Sequence, residues 1–510
     1  MVLRASTRPV IVGMKKGLSV HRVGRLVGGL LAAALSAGFL PAIAACGGAA
    51  TISGRVPVVV DTDMSSDDIM ALAYLLKQPG ISVRAVTVEG TGVAHGLPGA
   101  RNALRLIRAL GIHRMVPVGY GPSKPLAGSR SFPAGWRATA DAMYGLGLPA
   151  WTGRQPARSA VRLLTSTING SARPVTVITL GPFTNLALAM RADPGIAQNI
   201  GMVYSMAGAL RVEGNEPSHH RAEWNVYIDA TAADLVLRSR APITLIPLDA
   251  ADNVPITSFV RDAVAARPRT PALRLVAAML RQPFYTRAPA YFWDPLAAVA
   301  ASGHRVVRFY AERLRIRTGP GPDLGVTRIS PAGAPVRVAL SADAAAFQRQ
   351  FLATLNDGQP VPVPALPTSR RMAVTFDGSA YRYHGPRAAA PGQFEVRLAD
   401  RSPEPFDGFT LVVGKLAAGR SLADVQAVIR HGTVTSVPAW FTVTASLPAS
   451  PATQPAWGLS LGPGRYALVC VRARDGALHA LAEVTIRRPI SRRIARSLAI
   501  IRPLRIASRW

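Results

Sequence analysis

Val56-Pro57-Val58-Val59-Val60 runs directly into Asp61-Thr62-Asp63-Met64-Ser65-Ser66-Asp67-Asp68. The first five residues read as a short strand, because β-branched side chains suit a pleated surface and Pro57 is tolerated near a strand start. The next eight residues hold four carboxylates. Like charges this close raise one another's pKa unless a cation or hydrogen bonds offset them. Oxygen donors without Cys or His point to a hard divalent ion, calcium or magnesium. A capped helix is the simpler alternative, with Ser66 or Asp67 as N-cap and the helix N-terminus stabilising the acids. That alternative accounts for Asp67 and Asp68. Asp61 and Asp63 stand several residues ahead of the helix and fit it poorly.

Outward from this turn, strand and helix patterns alternate. Residues 69–76 read as an apolar helix, 81–88 as a strand, 100–110 as a helix and 175–180 as a strand. A helix around 185–190, a helix over 230–237 and a strand over 243–247 follow. Such alternation implies βαβ units and the α/β class, with an open, mostly parallel sheet. Sheets of this kind take ligands at the carboxyl ends of their strands, where the acidic turn stands. Near residue 358 the pattern changes. Asn356, Asp357 and Gly358 are turn formers, and residues 359–367 carry four prolines. Short apolar runs then recur at 372–376, 393–398, 409–413, 440–445, 465–472 and 478–486, separated by Gly and Pro, which predicts a smaller β-sandwich domain. The expected order is a signal peptide (1–46), a tether (47–54), the α/β domain (55–357), a Pro-rich linker (358–368), the β-sandwich (369–486) and a basic tail (487–510).

Composition narrows the function classes. The 510 residues are 49% apolar and 17% charged, which excludes wholesale disorder. Two cysteines exclude a disulfide scaffold and a Cys-based zinc cluster. The net charge is +31, with six bases and no acid in residues 1–46 and eight bases and no acid in 487–510. Such basicity favours anionic surfaces, including a cell-envelope polymer, and names none of them. Without a nucleic-acid motif or aromatic–basic interleaving, no specific nucleic-acid partner is expected. Lys15, Lys16, Arg22 and Arg25 precede an apolar run at 26–45 that reads as an export signal. It ends Ile43-Ala44-Ala45-Cys46, which resembles a bacterial lipoprotein lipobox. That resemblance implies lipidation of Cys46 and a lipid anchor on the outer leaflet of the bacterial cell membrane; plain secretion is the alternative. Cys470 would then have no partner within the chain.

Three further motifs stand in order behind the acidic turn: Leu180-Gly181-Pro182-Phe183-Thr184-Asn185, Ala222-Glu223-Trp224-Asn225-Val226-Tyr227 with Asn215 upstream, and Trp293-Asp294-Pro295-Leu296-Ala297. Together with Asp61-Thr62-Asp63 and Asp67-Asp68 they resemble the inosine–uridine nucleoside hydrolase family over residues 55–357. The resemblance implies hydrolysis of the N-glycosidic bond of ribonucleosides, with a bound calcium ion on an open α/β sheet. Position by position, it implies that Asp63, Asp68 and Asp294 are calcium carboxylates and that the Leu180 carbonyl is a backbone ligand. Asp63 would also be the general base for the attacking water. Asp67 and Asn225 would hold ribose hydroxyls, Asn215 and Glu223 would reach the far end of the sugar, and Asp61 would order the turn.

Read alone, each motif has a blander meaning. Asn185 after Gly181-Pro182 is a helix-start device. Glu223 and Asn225, two apart, share a face if extended. Asp294 before Pro295 caps a helix. The chain also departs from the family. Trp293 stands where many members have a His that helps the base leave, and an indole can stack on a base but cannot protonate it. Thr91 replaces a frequent Asn, and Met64-Ser65 replaces a frequent Pro-Gly. His219-His220 are candidates for the leaving-group proton but read better as a solvated loop pair, and Tyr285 and Tyr291 are other candidates. In the sandwich, Cys470, His479 and the distant His384 do not form the close array that copper needs, so Cys470 reads as a buried structural residue. The expected function is calcium-dependent ribonucleoside hydrolysis. A non-catalytic nucleoside- or sugar-binding lipoprotein is the alternative that Trp293 supports. A DxD phosphatase is a lesser one, which leaves Asp67-Asp68 and Glu223/Asn225 without a job.

Overall fold

A computed structural model of the chain describes residues 54–219, 221–287, 290–363, 368–402, 408–430, 437–449, 456–472 and 476–487. Cys46, the apolar run before it, His220 and the basic tail from 488 onward lie outside the described residues.

The β-branched run at the start forms β1 (Val56–Thr62). Val58 and Val60 enter one apolar cluster with Ile69, Leu72 and Phe292, while Val59 enters another with Leu186 and Val203. This period of two, with both faces covered, is the mark of a central parallel strand. The remaining strands of the sheet are β2 (Ile81–Val88), β3 (Val118–Tyr120), β4 (Val175–Thr179), β5 (Ile200–Ser205), β6 (Ile243–Leu245), β7 (Val307–Ile316), β8 (Thr327–Ile329) and β9 (Ala334–Ala342). Their order is β3-β2-β1-β4-β5-β6-β9-β7-β8. Strands β1 to β6 and β9 are parallel, and β7 runs antiparallel to both β9 and β8. The chain winds from β1 through β2 to β3 on one side and from β4 to β6 on the other. The carboxyl end of β1 is therefore the switch point where such sheets bind ligands. The acidic turn leaves the sheet there.

The helix that follows spans Ser66–Lys77, one turn earlier than its apolar pattern predicts. Ser65 is the N-cap and accepts from the Asp68 N–H, so the polar first turn Ser66-Asp67-Asp68 is already helical. Every residue from Ser66 to Leu76 is buried. The first turn owes its burial to the helix Trp293–Ala301 and the sheet end around it.

The last helix of this unit spans Ala344–Leu355, and the next strand, β10, begins at Arg371. Beyond it, β10 (Arg371–Phe376), β11 (Tyr381–His384), β12 (Ala388–Ala389), β13 (Gly392–Asp400), β14 (Phe409–Leu416), β15 (Phe441–Ala449), β16 (Ala456–Leu461), β17 (Gly464–Arg472) and β18 (Leu478–Ile486) build two sheets. One has the order β11-β10-β13-β16 and the other β12-β18-β17-β14-β15. Inward residues Val374, Phe394, Leu411, Leu468 and Val484 fill a common core between them. Cys470 is wholly buried in that core, and burial pushes its thiol up to about 12, as suits a structural cysteine. A helix, Leu422–Arg430, interrupts the strands and was not visible in the apolar runs. Among the described residues no helix is long and apolar enough to cross a membrane.

Candidate active site

The acidic turn is held by its own carboxylates. The Asp63 N–H donates to Asp68 Oδ1 at 3.0 Å, the Thr62 hydroxyl donates to the same oxygen, and the Ser65 hydroxyl donates to Asp68 Oδ2 at 2.7 Å. Met64 sits at φ 58°, a left-handed conformation uncommon for a residue with a side chain. Asp63 accepts the Ser65 N–H on Oδ1 and the Val93 N–H on Oδ2, both at 3.0 Å. It is wedged between the ends of β2 and β4. A Cβ added at Gly92 would lie 2.0 Å from the Asp63 Cβ, and one added at Gly181 would lie 2.6 Å from it.

Asp294 reaches this turn from the first turn of the Trp293–Ala301 helix. Carboxylate oxygens of Asp67, Asp68 and Asp294 lie within 4.8 Å of one another, although Asp294 comes from a distant part of the chain. All three are largely or wholly out of solvent, and Asp294 Oδ1 has no hydrogen-bond partner. A buried carboxylate with an unpaired oxygen, packed close to two other carboxylates, is costly unless a cation offsets it. The donor set is all oxygen and suits a hard ion such as calcium. Burial, reinforced by the charge of Asp68, raises Asp67 to about 6 and lifts Asp63 well above the usual range. Asp294 is lifted likewise by burial and by Asp67 and Asp68. Asp63 borders this trio through its N–H bond to Asp68. The trio thus contains Asp67, read from sequence as a sugar ligand, alongside two of the three expected metal carboxylates.

The predicted sugar side gathers beside it. The Asn225 side-chain amide donates to the Leu180 and Met206 carbonyls, at 3.1 Å each, which brings a predicted backbone ligand and a predicted ribose contact together. Glu223 does not share an extended face with Asn225. It is the N-cap of the short helix Trp224–Ile228, and its carboxylate accepts N–H groups of Gly208, Asn225 and Val226. Burial still pushes Glu223 up to about 7. Asn215 fixes the same segment by accepting the Trp224 N–H at 3.0 Å. Trp293 points elsewhere: its indole N–H donates to Asp252 at 3.0 Å, and its ring lies against Phe284 and Tyr291.

Several contributors carry no sequence pattern. Glu89, directly after β2, is fully buried, and burial together with the charge of Asp61 lifts its carboxyl well above the usual range. Its carboxyl also receives the Asn185 N–H at 3.0 Å. Asn185 is not a helix-start device; its side chain donates to Asp61 Oδ1, which also takes the Thr87 hydroxyl. Asp61 therefore ties the turn to β2 and to the element after β4, the ordering role expected of it. Arg137 is buried and donates to the Gly90 and Gly92 carbonyls, bracing the loop that touches Asp63. Tyr285 shares a 2.6 Å hydrogen bond between its hydroxyl and Ser66 Oγ, and Tyr144 contacts the Ser66 backbone. Burial and the nearby acids hold both phenols above their usual range. His219 is not a solvated loop residue. Its Nδ1 lies 3.1 Å from the buried Glu216 carboxylate and its ring packs on Tyr227.

The family model described as inosine-uridine preferring nucleoside hydrolase matches residues 58–349, more than half of the chain. The chain belongs to this family. Among its relatives, the pyrimidine-specific ribonucleoside hydrolase RihA of Salmonella typhimurium is 31% identical over 195 residues, which is 38% of this chain and 60% of that protein. The RihA of a Shewanella strain is 32% identical over 239 residues, covering 46% of this chain and 72% of the relative. The chain thus spans 60% of the length of the Salmonella relatives it matches. A plant nucleoside hydrolase structure covers 59% of this chain and 99% of its own, with a TM-score of 0.54 and 27% identity. A purine-preferring ribonucleoside hydrolase from Gardnerella vaginalis covers 59% and 98%, with a TM-score of 0.52 and 25% identity. The α/β part is thus the nucleoside hydrolase fold, and the β10–β18 sheets lie beyond the residues the family model matches.

Proposed function

We propose that the protein is a calcium-dependent hydrolase of the N-glycosidic bond of ribonucleosides. The observation that carries this reading is the convergence of Asp67, Asp68 and Asp294, next to Asp63, with one buried oxygen of Asp294 left unpaired. Asp68 and Asp294, with Asp63 or Asp67 and the Leu180 carbonyl, would hold the ion. When bound, calcium supplies an acidified, oriented water and a grip on the ribose hydroxyls. Asp63 would be the base that takes a proton from the attacking water as the water oxygen bonds to C1′ and the C1′–N bond breaks. The bonding pair would leave with the base, which would take up a proton from solvent. The surrounding carboxylates stabilise the positive charge that develops on the ribosyl ring. Asn225 and Glu223 orient the sugar from the opposite side.

The test is ribose release from a panel of ribonucleosides, with and without a calcium chelator. Release that stops with chelator and returns with calcium is the expected result. Tight binding of a ribose analogue with no release of base selects the non-catalytic binder, the reading favoured by the engagement of Trp293 with Asp252. We further read Cys46 as a lipidation site on an exported protein, with residues 55–357 as the hydrolase domain and 369–486 as a second domain. Labelling of Cys46 by a lipid precursor, abolished in C46A, tests the anchor.

A further inference from the structure

Strand β16 is the edge of the β11-β10-β13-β16 sheet. An exposed edge strand invites unwanted pairing, and proteins cover such edges. Here the cover is the helix Ser258–Ala266, part of the segment that carries Tyr285. A Cβ added at Gly458, in the middle of β16, would lie 2.6 Å from Ser258 Oγ and 2.8 Å from the Ser258 N, so only glycine lets the strand approach the helix Ser258–Ala266 this closely. Gln393 on the neighbouring β13 donates to Asp262 on the same helix. Trp457 packs edge-on against Tyr291 with ring centres 5.2 Å apart, and Tyr291 belongs to the apolar core of the sandwich.

The same segment, residues 254–292, supplies the acidic turn from its other side. Its ends are stitched together by Ile256 N–H to the Ala290 carbonyl (2.8 Å) and Phe292 N–H to the Val254 carbonyl (2.9 Å). Arg261 ties helix Ser258–Ala266 to the Tyr285 carbonyl at 2.9 Å. From Trp457 the rings continue through Tyr291 to Trp293 (5.6 Å) and Phe284 (6.3 Å). Phe284 abuts Tyr285, whose hydroxyl reaches Ser66, and Trp293 is bonded directly to Asp294. A continuous packed path therefore leads from the sandwich to two groups at the site.

We propose that the β-sandwich is a fixed buttress of the nucleoside site, in which β16 seats the 254–292 segment and so positions Tyr285 and Asp294 at the acidic turn. Trp457 and Gly458 are positioning residues; neither touches the reacting atoms. The sandwich is then a structural part of the site and not a tethered passenger. This deepens the proposed function, and its activity arm rests on that reading.

The experiment uses the full chain and the variants Trp457→Ala, Trp457→Phe and Gly458→Val. Three readings are taken: terbium affinity by luminescence as a calcium substitute, amide hydrogen exchange, and KM and kcat for a ribonucleoside. W457A and G458V are expected to weaken terbium binding and raise KM by about tenfold, the lower end of what loss of an outer support costs a metal site. Exchange should speed up across 254–292 while β1, β4, β10 and β17 keep their protection. W457F retains a ring against Tyr291 and is expected within about twofold of the parent. Terbium affinity and 254–292 exchange unchanged in both W457A and G458V overturn the proposal. If the sandwich strands lose protection in those variants, the double variant Q393A/D262A, confined to the exposed contact, decides. A loosened 254–292 segment there supports the buttress, and an unchanged one overturns it. A parent that releases no ribose would sink the proposed function and leave the terbium and exchange readings intact.

Discussion

Asp63 has both carboxylate oxygens engaged by backbone N–H groups, one within its own turn and one from the loop after β2. Replacing it removes a base and leaves those buried donors unpaired. Asp63→Ala is expected to lower ribose release by at least about 100-fold, the usual contribution of a general base, while far-UV circular dichroism stays like the parent's. Undiminished release in that variant removes Asp63 from the reaction. Asn185→Ala tests a different role. The substitution removes the hydrogen bond that Asn185 donates to the buried Asp61 and is expected to lower stability by about 1–3 kcal/mol in chemical denaturation. The acids of the turn could be read from sequence because four of them crowd eight residues, more than a helix cap accounts for. Glu89 could not: one acid after a strand has no pattern until the fold lays it against Asp61. The behaviour of Asn185 was equally hidden, because its partner lies more than a hundred residues away.

Where β2 and β4 end, two glycines leave the space that Asp63 fills. Gly181→Ala would set a methyl 2.6 Å from the Asp63 Cβ, and the turn would have to move. Overpacking of this kind typically costs about 1–3 kcal/mol. The expected outcome is at least tenfold weaker terbium binding, with a smaller change in Tm than in affinity. Equal affinity in G181A would show that the turn is free to shift. At this scale the elements with a plain pattern were legible: the valine run of β1, the apolar stretch of β2 and the helix 230–237 stand where their residues predict. The antiparallel β7–β9 extension carries no plain sequence pattern, because β7 mixes arginines with apolar residues and is largely half-buried or exposed. The pairing of β13 with β16 escaped too, as the strand Ala456–Leu461 is short and follows a Pro-rich stretch.

The whole molecule carries an excess of buried acid, and that sets its response to pH and metal. Burial pushes Glu223 and Asp252 up to about 7, from ordinary values of 4.5 and 3.8. Acids raised in the folded state stabilise it fully below their unfolded values, and that stability is lost as pH rises through the folded ones. In chelator, Tm is therefore expected to fall between about pH 4 and pH 7. A flat or rising Tm over that window would contradict the burial assigned to these groups. Calcium at about 100 times its Kd is expected to add about 2.7 kcal/mol, seen as a higher Tm at pH 8. The sheet order β3-β2-β1-β4 has one more consequence, and it concerns time. Val58 must wait for Thr176, its partner more than a hundred residues later, before its strand has both neighbours. Parallel pairing over such separations is slow, because the loop between the partners must close before any contact rewards it. A ribosome therefore releases this largely buried central strand long before it can be sheltered, and refolding from denaturant should be rate-limited by that late central pairing and prone to clumping at high protein concentration.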